Sequence, residues 1–483
     1  MLPRRPPGYW PMLLAFTCSV AMDALLSGGV GVALPNLMGT FGVSFDEVSW
    51  VSTFYLMAAA VITPLSHWLA ELFGRRNYFI GSTALFLLAS LGCALSPSFS
   101  ILLVCRALQG AGAAAFRARA MLAITTEMPA TYLIEALVLF TMGLSVAGGV
   151  GVAGGGWLGE FVTWRLIFLM PVPLGILGLG SLLLGLEPKD DHRPLPHVDW
   201  RGFLLLANGL IALQWLLSRG EREEWFLSPH LTLLAACSAI LLPWFLWWQL
   251  QPKNPHPLLN LRLLRDRNLL SGLGLALLLG LFINGGLFVL PQFLRAVGAH
   301  DGWATGKLLL VDVFGQWCAL MLATVLAGRI SPRILLGVGA LCFSTAMACL
   351  CGRWTSGIPD EALYLPLFLR GASLGFFIIP LGAWCVRSLP REHIGEGRAL
   401  YYFSRHLGGS LGVALLTLLA DRRESFHSAH LGQAIQNWSG SLGGLRSLLW
   451  RETQTLAYQD VFVALFGFGI LALLLILAWK PKN

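Results

Sequence analysis

Apolar runs of about 20 residues recur along almost the whole chain, and each is long enough to cross the hydrocarbon core of a bilayer as a helix. They lie near 11 to 33, 49 to 70, 77 to 95, 100 to 121, 135 to 157, 164 to 186 and 202 to 218. Seven more follow, near 230 to 250, 269 to 290, 305 to 327, 333 to 352, 362 to 387, 400 to 420 and 458 to 478. In lipid, backbone polar groups must be satisfied within the protein, so runs of this kind fold as transmembrane helices. The expected fold class is an all-α polytopic membrane protein with 14 transmembrane helices. Composition agrees, since 56% of the 483 residues are apolar and only 12% are Asp, Glu, Lys or Arg, roughly half the charged share of a soluble protein. A soluble enzyme, a disordered tail and a nucleic-acid binder are excluded.

The nine cysteines (Cys18, Cys93, Cys105, Cys237, Cys318, Cys342, Cys349, Cys351 and Cys385) fall within or at the ends of apolar stretches. They read as small hydrophobes, with neither a disulfide framework nor metal-ligand spacing. The first run begins near Pro11 and has no small-residue cleavage site, so it is expected to stay as a transmembrane helix.

An even number of spans puts both termini on one side. The connections on that side carry 20 of the 33 Lys and Arg residues, and the other side carries ten. The positive-inside rule therefore predicts cytoplasmic termini, and topology accounts for the net charge of +8 without an acidic partner. The remaining three, Arg106, Arg370 and Arg405, lie inside spans.

The chain repeats itself. Leu69-Ala70-Glu71-Leu72-Phe73-Gly74-Arg75-Arg76 joins spans 2 and 3, and Leu326-Ala327-Gly328-Arg329-Ile330-Ser331-Pro332-Arg333 joins spans 10 and 11. Arg106 with Gln109 and Gly110 in span 4 has a counterpart in Arg370-Gly371 in span 12. This spacing predicts a cytoplasmic N-terminus (1–10), a six-helix half (11–186), two extra helices (187–250) and a second half (251–483). The second half carries an outward loop over 421–457. Paired repeats around a midplane site are the organisation of many secondary transporters.

With these motifs the sequence resembles the 14-span drug:proton antiporters of the major facilitator superfamily, of the EmrB/QacA type. The resemblance extends from Val32-Ala33-Leu34-Pro35 at the end of span 1 to Arg405-His406-Leu407-Gly408-Gly409-Ser410-Leu411-Gly412 in span 13. It implies a major facilitator fold and proton-coupled export of hydrophobic or amphipathic small molecules such as drugs across a bacterial inner membrane. The proton gradient would supply the energy, without a cofactor. It also implies a periplasmic membrane-fusion adaptor and an outer-membrane channel as partners where the cell has an outer membrane. The alternative is an exporter dedicated to one anionic metabolite, such as an aromatic acid or a siderophore. No cluster of nucleophile, base and metal ligands suggests an enzyme.

Each motif has a physical reading beside its family role. Glu71, Gly74, Arg75 and Arg76 form a basic turn that either biases one state of an alternating-access cycle or simply anchors the chain. His67 and Glu71 depart here from the family's usual Gly and Asp. Arg106 is too deep for easy snorkelling and needs a partner; the resemblance implies a role in proton movement for it, with Gln109 nearby. Gly151, Gly155 and Gly156 in span 5, and Gly408 and Gly412 in span 13, let helices approach at backbone distance, as packing stripes or as gates. Val152 stands where the family's antiporter motif has Pro. Proton carriage needs a carboxyl group inside a span, because burial disfavours its charged form. Asp23 and Asp312 qualify, as proton sites or as structural partners of an arginine. The family's acid in span 1 falls three residues later, at Leu26. Arg405 is a further candidate for proton coupling. Arg117 and Arg119 near the inner end of span 4 either snorkel to the interface or favour anionic substrates from the vestibule. Trp10, Trp50, Trp164, Trp200, Trp225 and Trp354 are expected mostly as interfacial anchors.

Overall fold

The structure is a computed structural model, and it describes residues 9–116, 120, 124, 132–185, 198–252, 254, 257–298, 300–326, 329–351, 359–434 and 442–478. Arg117, Arg119 and Trp354 lie outside the described residues. The helices of the first half are α1 (Tyr9–Phe41), α2 (Phe45–Ile62), α3 (Ser66–Leu72), α4 (Arg75–Ala94), α5 (Phe99–Ala113), α6 (Leu133–Phe161) and α7 (Pro171–Gly185). Two extra helices follow, α8 (Trp200–Arg219) and α9 (Pro229–Leu250). The second half contains α10 (Arg267–Gly280), a π-helical segment (Leu281–Gly285), α11 (Gly286–Ala296), α12 (Gly302–Leu326), α13 (Pro332–Leu350), α14 (Asp360–Val386), α15 (Ile394–Ala434) and α16 (Leu442–Ala478). Among the described residues thirteen stretches are long and apolar enough to span a membrane, and the shorter apolar helix α5 stands where the remaining span is expected.

Local chemistry sets the helix boundaries. Pro229 and Pro332 occupy first positions, where a missing N–H costs nothing. Asp266 accepts the Leu269 N–H at 2.8 Å as an N-cap. Gly74, at φ +77°, makes the left-handed turn from α3 into α4 that a side chain would strain. Several hydroxyls within the spans bond back to their own helix, as in Ser19 to the Ala15 carbonyl and Thr83 to the Phe79 carbonyl, and so need no water.

Both halves pack by one scheme. The first spanning helix lies against the fifth (α1 on α6, α10 on α15), the second against the fourth (α2 on α5, α12 on α14), and the third against the sixth (α4 on α7, α13 on α16). The halves meet through α6 on α12 and α2 on α15.

The two extra helices are pinned together by Asp199, whose importance the sequence reading missed. Its carboxylate caps α8 by accepting the Gly202 N–H at 2.8 Å. It also receives Trp248 Nε1 at 2.8 Å, Gln249 Nε2 at 2.7 Å and Asn254 Nδ2 at 2.9 Å. Burial alone would push the carboxyl group up, but these hydrogen bonds outweigh it and hold Asp199 below the usual carboxylate range. An acid directly before an apolar run was the available signal. Asp199→Ala is expected to cost about 3 kcal/mol, a cap plus charge-assisted bonds. Because the folded group is depressed, its contribution is present at neutral pH and fades as pH falls below about 4. Thermal midpoints of wild type and variant measured from neutral to acid pH should therefore converge at the acid end.

Two expectations need correction. Residues 421–434 and 442–457, expected as part of an outward loop, continue α15 and α16 as helix. His427 Nε2 lies 2.8 Å from Asp460 and Arg423 3.5 Å from it, and these contacts join the α15 extension to α16. Trp50 and Trp164 are not interfacial anchors either, since both are buried. Trp164 Nε1 donates to Thr40 at 2.9 Å, because the 3₁₀ turn before α7 tucks the ring against the end of α1. Trp10 and Trp200 are half exposed, as anchors require.

Candidate functional site

Buried polar groups in an apolar bundle must find partners, and besides the Asp199 hub two networks stand out among the described residues, one in each half. In the first half, Asp23 on α1 accepts a hydrogen bond from the Tyr55 hydroxyl on α2. The guanidinium of Arg106 on α5 lies 4.4 Å from the centre of the Tyr55 ring. Arg106 donates to the Val51 carbonyl at 2.8 Å and to Gln109 at 2.6 Å, and Gln109 passes a bond to Ser90 on α4 at 2.6 Å. Asp23, Arg106 and Gln109 are all nearly inaccessible. One continuous chain thus ties α1, α2, α5 and α4 together. Asp23 and Leu26 are both buried in α1, as their near-one-turn spacing requires. The sequence reading missed Tyr55 and Ser90, whose only signal was a polar tip in the middle of a span.

In the second half, Asp312 on α12 and Arg370 on α14 form an ion pair at 2.8 Å, both buried. Arg370 also faces the Phe282 carbonyl at 3.5 Å, within the π-helical segment, where a widened turn loosens the helix ladder. Asn284 in that segment donates to the Gly280 carbonyl at 3.2 Å. Arg405 is buried on α15, with its guanidinium 5.2 Å from the Tyr402 ring centre. The sequence therefore grouped as proton-coupling candidates residues that the fold divides between separate networks.

The glycine stripes are sites of backbone contact. A Cβ at Gly151 would collide with the Leu25 carbonyl of α1, and one at Gly155 with Gly29. Gly156 faces the other half, at Gly302 and Gly306 of α12. A Cβ at Gly408 would strike the Leu277 carbonyl of α10, and one at Gly412 would lie 2.9 Å from Leu281 Cα. Stripes on α6 and α15 thus hold corresponding helices, α1 and α10. Val152, in the place of a family proline, packs into α1 beside Gly28.

The basic turns are also matched. Arg76 donates to the Leu183 carbonyl near the end of α7 at 3.2 Å. Arg333 donates to the Ile476 and Leu477 carbonyls at the end of α16, at 3.0 and 2.6 Å. Each arginine satisfies the orphan carbonyls of the sixth helix in its own half. Glu71 is exposed on the same turn.

At the opposite, distal end the halves are latched. Arg295 on α11 donates to Asn36 on α1 at 2.8 Å and pairs with Glu160 on α6 at 3.3 Å. Glu160 also accepts the first N–H of α12, from Gly302, at 2.9 Å. Asn36 itself donates to the Gly159 carbonyl at 2.7 Å, and Phe45 packs on Phe288 with ring centres 5.2 Å apart. None of Asn36, Glu160 and Arg295 stood out in the sequence, because each lies at a helix end where polar residues are ordinary.

The comparisons with known proteins agree with this architecture. The family model described as Major Facilitator Superfamily matches residues 16–413. The chain is similar to the multidrug export protein EmrB of Escherichia coli (strain K12), 27% identical over 91% of this chain and 85% of that one. It is similar also to the probable multidrug resistance protein EmrY of the same strain, 28% identical over 98% and 95%. The fatty acid resistance protein FarB of Neisseria gonorrhoeae is 27% identical over 89% and 84%. Among solved structures, a D-xylose-proton symporter superposes with a TM-score of 0.69 at 13% identity, over 98% of each chain. A bacterial homologue of the human lysosomal transporter Spinster, inward-facing and unoccupied, gives 0.64 at 17% identity, over 99% of this chain and all of that one. Two repeated six-helix halves, each with a buried arginine on its fourth spanning helix, and a family match across most of their length lead to one assignment: the chain is a multi-pass membrane transporter that belongs to the Major Facilitator Superfamily, of the EmrB type.

Proposed function

We propose that the protein is a proton-coupled exporter of hydrophobic or amphipathic small molecules, with Asp23 as its proton carrier and cytoplasmic termini. The observation that carries this reading is the buried chain from Asp23 through Tyr55 and Arg106 to Gln109. A proton on Asp23 removes the negative charge that faces Arg106, and Arg106 also holds the α2 backbone at Val51. Proton occupancy of α1 is thereby felt by α2, the helix that meets the second half through α15. The two halves, 11–186 and 251–483, rock about this contact, and the Glu160–Arg295–Asn36 latch opens as the distal side does. With the basic turns in the cytoplasm, the latched state is closed to the outside. An adaptor at the distal extensions of α15 and α16 would follow from the EmrB likeness in a cell with an outer membrane.

The name of the Neisseria relative extends the substrates worth testing to amphipathic carboxylates. Inside-out vesicles carrying the protein should be energised in the presence of a pH-sensitive dye and challenged with hydrophobic cations, fatty acids and aromatic acids. At least one compound is expected to discharge the gradient in a protein-dependent manner. If no compound in any class does so, proton-coupled export is the wrong reading.

A further inference from the structure

The turn between α11 and α12 carries His300, and both nitrogens of its ring face oxygen. Nδ1 lies 3.1 Å from the Leu294 carbonyl in the last turn of α11, and Nε2 lies 2.8 Å from the Asp360 carboxylate in the first turn of α14. A neutral imidazole has one N–H and one lone pair, so between two such acceptors it donates to one and turns its lone pair on the other. The imidazolium donates to both. Its surroundings suit a cation, since the orphan carbonyls of a helix C-terminus lie on one side and an acid on the other. The ring is 11% exposed and Asp360 49%. A side chain on Gly298 would collide with the ring, so the turn is shaped around it.

His300 stands between the two residues through which the second half holds the distal latch. Arg295, next to Leu294, reaches Asn36 and Glu160 of the first half, and Gly302 gives its N–H to Glu160. The other charged groups around the turn are engaged elsewhere or face solvent. Asp301 caps α12 by accepting the Ala304 N–H at 2.6 Å, and Arg451 of α16 donates to the Val297 carbonyl at 3.4 Å. Lys307 of α12 lies 5.7 Å over the Trp303 ring, and Glu361 of α14 is exposed. Of these residue types histidine is the one that exchanges its charge near neutral pH.

We propose that protonated His300 is the pin of the distal latch. Bonded at once to the end of α11 and the start of α14, it holds Arg295 and Gly302 in place for Glu160, and loss of its proton frees the turn and loosens the closed distal side. His300 is thus a positioning residue, acting through Arg295 and Gly302. The latched state makes two bonds that only the charged ring can make, so it holds the proton more tightly than the open state, and acid on the distal side favours closure. The side from which the proton comes rests on the orientation proposed above. With the distal end outside, external acid favours return to the latched state after the exported compound has left.

The test reads the latch and not transport. Nitroxide amino acids placed at Phe161 near the distal end of α6 and at Tyr364 on α14, both exposed, report the separation of the halves by double electron–electron resonance, with the nine native cysteines kept. The full-length protein is measured in lipid nanodiscs, without a proton gradient, in steps from about pH 5 to 8. As pH rises the wild type should pass from a short, latched distance to a longer one, the latched-to-open ratio falling several-fold. His300→Phe should be shifted towards the open distance and flat with pH, whereas His300→Arg, a permanent cation with several donors, should be latched and flat. If His300→Phe does not elute as folded protein, Asp360→Asn at the exposed partner supplies the test. Its amide can donate to a neutral ring, so the latched fraction should become independent of pH. A wild-type ratio that does not change with pH, or a change that persists in His300→Phe or Asp360→Asn and disappears in Asp23→Asn, would overturn the proposal. Failure of proton-coupled export in vesicles would leave these distances unaltered, so the two readings fail separately.

Discussion

Asp23→Asn is expected to bring proton-coupled discharge in vesicles down to the level of empty membranes while the protein still folds. The amide accepts the Tyr55 hydroxyl as the carboxylate does, so the loss of stability should stay within about 1 to 2 kcal/mol. What disappears is the ability to exchange a proton opposite Arg106. Tyr55→Phe, which removes the bond and keeps the ring under the guanidinium, should slow transport without abolishing it and shift its pH dependence. Arg106→Ala should fail differently. It removes the bonds to the Val51 carbonyl and to Gln109 Oε1 and leaves Asp23 without its facing charge, a loss on the order of 3 to 5 kcal/mol for a buried ionic group. Arg106→Lys will not rescue it fully, because an ammonium cannot span both acceptors as the planar fork does. Full discharge by Asp23→Asn would remove this carboxylate from the mechanism.

The second large effect is expected at the Asp312–Arg370 pair. Asp312→Asn leaves the Arg370 charge buried at 1% exposure with its counter-ion gone, at a cost of about 3 to 5 kcal/mol. Changing both partners, as Asp312→Asn with Arg370→Met, removes the stranded charge and should recover most of the loss, since apolar replacement of a buried pair is often nearly neutral. Thermal midpoints of the single and double variants measure this coupling. The vesicle assay then separates the two roles left open by the sequence. A double variant that folds and still discharges the gradient shows a structural pair; one that folds and does not discharge it places Asp312 beside Asp23 in proton transfer. We expect the first outcome, because Arg370 engages Asp312 directly, whereas Arg106 is shared among several acceptors.

How much could be read in advance depended on the distance over which each feature is decided. The spans were legible because an apolar run of bilayer length is a local property, and so were Gly74 in its left-handed turn and the glycine stripes of α6 and α15. Arg106 and Asp23 were legible as anomalies, since a charge in lipid is costly wherever it sits. Their partners were not, because Tyr55 and Ser90 are ordinary residues until α2 and α4 bring them within reach. The same holds for Asp199, an acid before an apolar run that becomes a hub only when Trp248, Gln249 and Asn254 return to it 49 to 55 residues later. The outward loop expected over 421–457 was an error of the opposite kind: its polar composition was taken for a connector, but α15 and α16 continue as helices beyond the apolar stretch, and Arg423 and His427 of the α15 extension pair with Asp460 on α16.

By itself the sequence determined that this protein lives in a bilayer as an all-helical bundle of about 14 apolar segments, that its motifs repeat, and which ionisable groups stand inside the spans. These follow from transfer of each segment between water and lipid, a sum over residues that needs no knowledge of neighbours. Only the tertiary structure decided that Asp23 and Arg106 share one network, that Asp312 belongs to Arg370, that Glu160, Arg295 and Asn36 latch the distal end, and that His300 stands between the end of α11 and Asp360. Those pairings depend on contacts between residues far apart in the chain. In a low-dielectric interior a buried polar group settles on whichever partner the packing of helices presents to it.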